Sequence, residues 1–442
     1  MSEQIIRDKQ AVSEKTQTLL EKTKDLSLKG RVPAGIFNNE EIYQLERERI
    51  FSRCWIFLAH ETEIPEPGDY VVREIADNSI IVVRDEKGQI RAHLNVCRHR
   101  GTTVCHAEMG NASHFRCPYH GWTYQNSGKL IGVTAIKKAF PKDFNKEEFN
   151  LASIRVDSYE GLIFGNLDPE AESLDEYLGG FQWYMDYILK TSLAGAEVAG
   201  PPEKFVIDID WKVGSENFAG DGYHTPIAHQ FAFDMGYFPT STRTHSGGIS
   251  VHIPNKGHGI GFGVTPGMDF TGYQEGFTDQ VSQLFDPDQA EIFRETRTAL
   301  GTIFPNCSIL STAFSLKPGG EPTRFWSVRL WHPIGPGKIQ FINLVLVPKD
   351  SSDEYKKRSI QAFRTSFGVS GTFEQDDMEI WRNLTRGLKG TVAQDLLFPY
   401  EMGIDGEPLK DFPGPGVAKE PYFNETNFRN QWHTWANYML KE

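Results

Sequence analysis

The sequence is short of positive charge: 46 Lys and Arg stand against 59 Asp and Glu, a formal net charge of −13. Nucleic acid and anionic membrane surfaces repel a chain of that sign, so neither is expected as its main partner. Long hydrophobic runs are also missing. The longest apolar stretches fall far short of the ~20 residues that cross a bilayer, and residues 1–29 are polar and charged, without the apolar core of a secretory signal. Cysteine is scarce, with five in 442 residues. With Cys97 and Cys117 set aside for the motif described below, Cys54, Cys105 and Cys307 are an odd remainder that builds no disulfide framework, so a reducing, cytoplasmic setting is expected. No GxGxxG follows an expected strand, so the chain carries no nicotinamide or flavin signature of that kind. Internal repeats and low-complexity segments are absent.

At 442 residues, 39% of them hydrophobic and 24% charged, the chain has the composition of a globular protein with two or three domains. Residues 10–25 are rich in Glu, Lys, Gln and Leu without a wide apolar face, which predicts a surface helix or a partner-facing arm. Over 38–51 an asparagine precedes early acids and apolar Ile42, Leu45 and Phe51, the pattern of a capped helix. From Gly68 to about Gly165 the apolar period shortens to two, with strands expected at 70–72, 80–83 and 90–94 and hairpin turns at 85–88 and 126–128. The remainder mixes strands at 204–209, 324–331 and 339–347 with helices at 175–189 and 353–365. The fold class is therefore α+β and multidomain, a small antiparallel all-β domain ahead of a larger α+β domain. A Gly- and Pro-rich stretch at 407–421 reads as an extended surface segment.

Two short motifs carry chemistry. Cys97-Arg98-His99-Arg100-Gly101 is followed, 17 residues after His99, by Cys117-Pro118-Tyr119-His120-Gly121-Trp122. Two loops that each offer a thiolate and an imidazole suit a two-iron, two-sulfur cluster of Rieske type, with Cys97 and Cys117 on one iron and His99 and His120 on the other. A Cys2His2 zinc site uses the same ligand types, but its usual spacing begins with two cysteines and ends with two histidines. Gly101, Pro118 and Gly121 let the backbone fold closely and aim N–H groups at sulfur. The chain is thus expected to handle single electrons. Further on, Asp221, His224 and His229 fall within nine positions, and two imidazoles with one carboxylate make a facial triad for ferrous iron. His224 and His229 would stand about 140° apart on a straight helix, so the helix has to end or bend between them, and Pro226 supplies a reason.

With these motifs in place, the chain resembles the large (alpha) subunits of Rieske non-haem iron ring-hydroxylating dioxygenases of the naphthalene, biphenyl and toluene dioxygenase kind. The resemblance runs through residues 43–55, the two cluster loops, Gly161-Leu162-Ile163-Phe164, residues 217–229, Phe304-Pro305-Asn306 and Phe373-Glu374-Gln375-Asp376-Asp377. It implies an N-terminal arm (1–40) associated with the catalytic domain, a Rieske [2Fe–2S] domain (41–165), and a helix-grip catalytic domain with mononuclear iron (166–442). His224, His229 and Asp377 match the iron ligands. Asp221 matches a residue that bridges instead, bonding His224 in its own subunit and a cluster histidine, here His120, across a subunit boundary. Asn217 matches a position beside the iron. The resemblance further implies dioxygen as co-substrate, a small aromatic substrate converted to a cis-dihydrodiol, and head-to-tail trimers with a beta subunit. Electrons would come from NAD(P)H only indirectly, through a reductase and a ferredoxin.

Spacing does not separate Asp377 from its neighbour Asp376 as the third ligand, since a run of acids also suits a solvated helix face. Phe218, Phe231, Phe233, Met235, Phe262 and Phe367 fall where the family lines its substrate cavity, Phe367 foremost, though each is equally a core residue by type. Arg243 and Lys256 are candidates to meet a carboxylated substrate. A monooxygenase or demethylase with the same metals, and a pure electron-transfer protein, remain as alternatives.

Overall fold

The computed structural model describes residues 12–238 and 247–441. Among them no helix is long and apolar enough to cross a membrane, and all five cysteines are free thiols.

The run Ile80-Ile81-Val82-Val83 shows how the β module joins the rest of the chain. In a strand, successive side chains leave opposite faces, and in Asn78–Arg84 both faces are covered: Ile80 and Val82 belong to the main apolar core, while Ile81 and Val83 join a smaller cluster with Cys97, Phe115, Cys117, Trp122 and Tyr124. This strand pairs antiparallel with Asp69–Ile75 and Ile90–Leu94, and Met109–Asn111 adds a fourth strand at the edge. The turn at 85–88 is held by Asp85 Oδ1, which accepts the N–H groups of Lys87 at 2.8 Å and Gln89 at 3.0 Å. A second sheet contains His114–Arg116, Thr123–Gln125 and Leu130–Gly132, and a third contains Ile56–His60, Leu162–Asn166 and Arg155–Tyr159. The cluster motifs sit in the loops after Ile90–Leu94 and between His114–Arg116 and Thr123–Gln125.

The larger domain is built on an antiparallel sheet whose order among the described residues is Ala196–Val198, Lys338–Pro348, Pro322–Gly335, Cys307–Ser315, Thr296–Ile303, Gly259–Val264, Gly248–His252 and Val417–Lys419. Glu203–Ile207 also pairs with Lys338–Pro348. Helices Trp211–Phe218, Asp353–Ser366 and Thr426–Leu440 pack on this sheet, and Cys307–Ser315 is buried along its whole length.

Three expectations change in detail. The segment read as one helix over 175–189 is two, Leu174–Leu178 and Gln182–Leu189, separated by a turn at Gly179–Phe181. The helix over 38–51 begins after Asn39, whose side chain accepts from the N–H groups of Glu41 and Ile42, and ends as a wider π turn, Arg47–Phe51. The N-terminal helix Glu14–Ser27 is no bare surface arm: Thr16, Leu20, Thr23 and Ser27 form a buried stripe, and the helix packs on Thr426–Leu440 of the same chain. Small hydroxylated residues made that stripe look polar.

A buried carboxylate ties three elements together. Glu46 accepts Trp211 Nε1 at 2.8 Å, Lys212 Nζ at 2.9 Å and Trp435 Nε1 at 2.9 Å, and Lys212 Nζ also reaches Asp210 Oδ1 at 2.9 Å. Removing the cation strands two buried carboxylates, so Lys212→Met is expected to destabilise the protein by about 3–5 kcal/mol. A thermal or denaturant melt checks this, and a loss under about 1 kcal/mol would show that the node carries little.

Candidate metal centres

The two cluster loops share one backbone plan. In each, the cysteine carbonyl accepts the N–H of the glycine four residues on (Gly101 to Cys97, 2.9 Å; Gly121 to Cys117, 3.0 Å). In each, the cysteine N–H bonds the carbonyl five residues on (Thr102, 2.8 Å; Trp122, 2.7 Å). Such tight closure requires the left-handed region, and Gly101 and Gly121 sit there with φ of 78° and 71°. The glycine N–H groups therefore serve the cysteine carbonyls rather than the sulfurs, a correction to the sequence reading; it is the His99 N–H that points at the Cys97 sulfur. Tyr124 Oη stands 3.4 Å from Cys97 Sγ and accepts the Arg98 N–H at 3.1 Å.

The four side chains converge. His99 Nδ1 and His120 Nδ1 face each other at 3.0 Å, close to the spacing of two imidazoles on one metal with bonds of roughly 2.0–2.1 Å. His99 stacks on Trp122 with centroids 4.9 Å apart. Cys97 and Cys117 are buried, while Tyr119 beside His120 is 60% exposed. Burial pushes the Cys97 thiol above its ordinary range, so a metal, not solvent, is the natural means of removing its proton. Two buried sulfurs on one side and two facing imidazoles on the other fit the asymmetric ligand set of a Rieske cluster.

The second set gathers from two distant stretches. His224 immediately precedes the short helix Thr225–Ala228 and His229 follows it, with Pro226 in its first turn. Pro226 thus opens this helix rather than breaking a longer one, which corrects the sequence reading; proline is tolerated there because a first-turn N–H has no partner anyway. Across the cavity, helix Thr372–Gly387 presents Asp377. Its Oδ1 lies 3.1 Å from His229 Nε2 and 3.6 Å from His224 Nε2, and the three donors fall within 4.8 Å of one another. Asp376 turns to the other nitrogen of the same ring, its Oδ2 3.3 Å from His229 Nδ1, and is 39% exposed where Asp377 is 4%. Geometry separates two neighbours that spacing left equal.

Electrostatics in this pocket favour a cation. Burial alone would lower the His224 imidazole, but Asp221 and Asp377 raise it to about 9. Burial works to raise Asp377, yet His229, His224 and Arg329 bring it below its ordinary value. Asp221 Oδ1 stands 3.1 Å from His224 Nδ1, orienting the ring from behind as an outer carboxylate does. Asn217 Nδ2 lies 3.4 Å from Asp221 Oδ2 and 3.5 Å from His224 Nδ1. A convergent two-imidazole, one-carboxylate set that also holds a proton tightly fits a divalent metal.

Phe218 and Phe367 line the adjoining cavity together with Asn217 and the three donors. The other four aromatic or apolar candidates do not. Phe262 is core, packed on Tyr184, Tyr187 and Phe293; Phe231 packs behind on Phe373; Phe233 packs on Phe238; Met235 is half exposed. Lys256 pairs with Glu172 at 2.7 Å and does not line the cavity, and Arg243 lies outside the described residues. Sequence reasoning missed Phe238, Arg297, Leu300, Leu310, Phe373 and Tyr422 as lining residues. Phe373 was findable, four before Asp377 on one helix face; the others come from strands and loops remote in sequence. Beneath the wall, Arg329 Nη1 pairs with Glu374 Oε2 at 2.8 Å, both fully buried, and the guanidinium stacks over Phe218 and Phe367 at 4.5 and 5.0 Å.

Comparison with known proteins agrees with this architecture. Residues 54–159 match the Rieske [2Fe-2S] domain, and residues 174–442 match the ring hydroxylating alpha subunit (catalytic domain). The chain belongs to the alpha subunits of Rieske ring-hydroxylating dioxygenases. Within that class it is similar to the crystal structure of naphthalene 1,2-dioxygenase from Rhodococcus sp. bound to indole, with a TM-score of 0.94 and 45% identity over 97% of this chain and 99% of that one. It is 34% identical to biphenyl 2,3-dioxygenase subunit alpha of Rhodococcus jostii (strain RHA1), over 93% of this chain and 89% of the relative. It is 36% identical to N,N-dimethyl phenylurea N-demethylase subunit alpha of Sphingobium sp. (strain YBL2), over 93% and 92%.

The matched loops generate a graded prediction. A Cβ at Gly101 meets nothing within 4 Å, whereas one at Gly121 comes within 3.0 Å of Thr134 Oγ1. Gly101→Ala should cost about 1–2 kcal/mol from backbone conformation alone, and Gly121→Ala more. The denaturant midpoint for loss of visible cluster absorbance is the measure, and the reverse order would contradict the loop geometry.

Proposed function

We propose that this chain is the terminal oxygenase component of a multicomponent system that adds both atoms of dioxygen to an aromatic ring, giving a cis-dihydrodiol, with electrons from NAD(P)H through a reductase and ferredoxin. The observation that carries the reading is the convergence of His224, His229 and Asp377 within 4.8 Å at an aromatic-walled cavity, in a chain that also carries the paired Cys-His loops. In this reading Cys97, His99, Cys117 and His120 hold a [2Fe–2S] cluster within residues 41–165, and His224, His229 and Asp377 hold ferrous iron within 166–442, with 1–40 as the arm of the latter. When bound, the cluster supplies electrons singly and the ferrous ion supplies the place where dioxygen is reduced beside the ring.

The chain's own residues do the rest. Asp377 contributes the negative charge, and Asp376 and Asp221 fix the two imidazole orientations from behind. Phe218, Phe367 and Phe373 supply an apolar wall that holds a planar ring and keeps water out. Asn217 stands beside the donors with its amide toward Asp221. Asp221 retains 19% side-chain exposure, and Tyr119 beside His120 is open to solvent; both support a bridge from Asp221 of one subunit to His120 of the next in a head-to-tail trimer. The designation of relatives as alpha subunits supports a beta partner.

The N-demethylase relative favours a second reading, in which the same centres oxidise an N-methyl group. Products separate the two: labelled dioxygen supplied to the reduced enzyme with arenes gives a diol carrying two labelled oxygens under the first reading, and formaldehyde from N-methyl arenes under the second.

Two variants test the site. Asp377→Ala should keep cluster absorbance while losing mononuclear iron and all product; surviving turnover would remove Asp377 from the ligand set and reopen a purely electron-transferring role. Asp376→Asn should keep the fold and weaken iron retention by about 10–100-fold, read by dialysis against a chelator. Unchanged retention would mean that the 3.3 Å approach to His229 has no orienting effect.

A further inference from the structure

Arg297 reaches the cavity through an irregularity in the sheet. Thr296–Ile303 pairs with Gly259–Val264, but the register slips: Gly263 stands opposite Thr298 while Val264 stands opposite Thr296. Arg297 is therefore the extra residue of a β-bulge. In a regular strand Arg297 and Thr298 would leave opposite faces; a bulge re-aims a side chain, and here both line the cavity that holds His224, His229 and Asp377. Gly263 provides the room, since a Cβ there would stand 3.1 Å from Arg297 Nη2.

A second polar group points to a ligand. Tyr422 lines the same cavity and is 3% exposed, yet its buried hydroxyl has no hydrogen-bond partner among the described residues. A buried hydroxyl left unpaired costs roughly 1–3 kcal/mol, and a substrate oxygen would remove that cost. Arg297 is itself 9% exposed. Burial lowers its guanidinium below the usual arginine range, so an anion placed against it is favoured. Thr298 and Thr312 satisfy each other across the sheet at 2.8 Å, which leaves Arg297 and Tyr422 as the donors. Among the described lining residues the sole carboxylate is Asp377, already turned to the two imidazoles. Phe218, Phe367 and Phe373 make the apolar part of the same cavity.

We propose that Arg297 and Tyr422 form a carboxylate subsite, so that the preferred substrate is an aromatic ring bearing a carboxylate, bound by the Arg297 fork and the Tyr422 hydroxyl. A planar guanidinium matches a carboxylate with two parallel hydrogen bonds. This specificity rests on the ring-hydroxylating reading above for what happens to the ring, but the recognition does not.

The test separates binding from chemistry. Equilibrium binding to the iron-loaded, unreduced protein is measured for benzoate, phthalate and 2-naphthoate, each against its methyl counterpart, toluene, o-xylene and 2-methylnaphthalene. At least one acid should bind tenfold or more tightly than its counterpart. Arg297→Gln should abolish that preference, Arg297→Lys retain part of it, and Tyr422→Phe reduce it several-fold, with cluster absorbance and melting temperature kept as checks on folding. Wild-type protein binding every acid no better than its methyl counterpart overturns the proposal, as does an Arg297→Gln variant that keeps the preference. Product analysis then distinguishes the two ideas. Tight acid binding without ring oxygenation contradicts the oxygenase reading and supports the subsite, whereas dihydroxylation of methyl arenes with no preference for acids contradicts the subsite alone.

Discussion

One buried carboxylate sets the terms for the larger domain. Asp377 has to stay ionised where burial opposes ionisation, and it does so because two imidazoles and a guanidinium surround it. Each of those needs its own support. His224 is backed by Asp221 and His229 by Asp376, and Arg329 is neutralised by Glu374 while its flat face supports Phe218 and Phe367. The apolar wall of the cavity is thus held up by an ion pair that also feels the metal-ligating carboxylate. Removing any member leaves another charge uncompensated in a dry environment, the costly case for buried ions. Packing and chemistry in this domain share one electrostatic network.

The β module solves the opposite problem. Its thiols are buried and its imidazoles lie toward the surface, so a cluster held there would have one iron shielded and the other near solvent or a neighbouring chain. Two loops with the same pair of backbone hydrogen bonds place each cysteine at the base of a tight turn, and the histidine emerges two or three residues later. Trp122 and Tyr124, from the strand that follows the second loop, pack on His99 and Cys97. The strand Asn78–Arg84 shares one face with this module and one with the main core, so the electron-handling part is docked on the catalytic part through a continuous apolar layer.

The cluster loops were fully legible because all four ligands lie within 24 consecutive residues, 97–120, and local spacing constrains local geometry. So were the strands whose two faces alternate cleanly and the turns with Asp-Gly or Asn-Gly chemistry. Less legible were Gly259–Val264 and Cys307–Ser315: the first carries glycine at every second position, the second mixes Ser and Thr with apolar residues, and burial on both faces erased the contrast that marks a strand. The N-terminal helix hid its buried stripe behind threonine and serine. Phe262, an apolar residue at a plausible position, is ordinary core, since residue type by itself does not say which wall a side chain faces.

By itself the sequence determined the cluster ligands, the two histidines of the second centre and the order of the domains, since each depends on neighbours along the chain. Only the tertiary structure chose Asp377 over Asp376, because that choice turns on which face of Thr372–Gly387 meets a loop nearly 150 positions earlier. It alone brought Arg297 and Tyr422 to the cavity, through a one-residue slip in strand register that reverses which side of the sheet a side chain occupies. Register and helix rotation are set by packing between segments remote in sequence, and no local pattern encodes them.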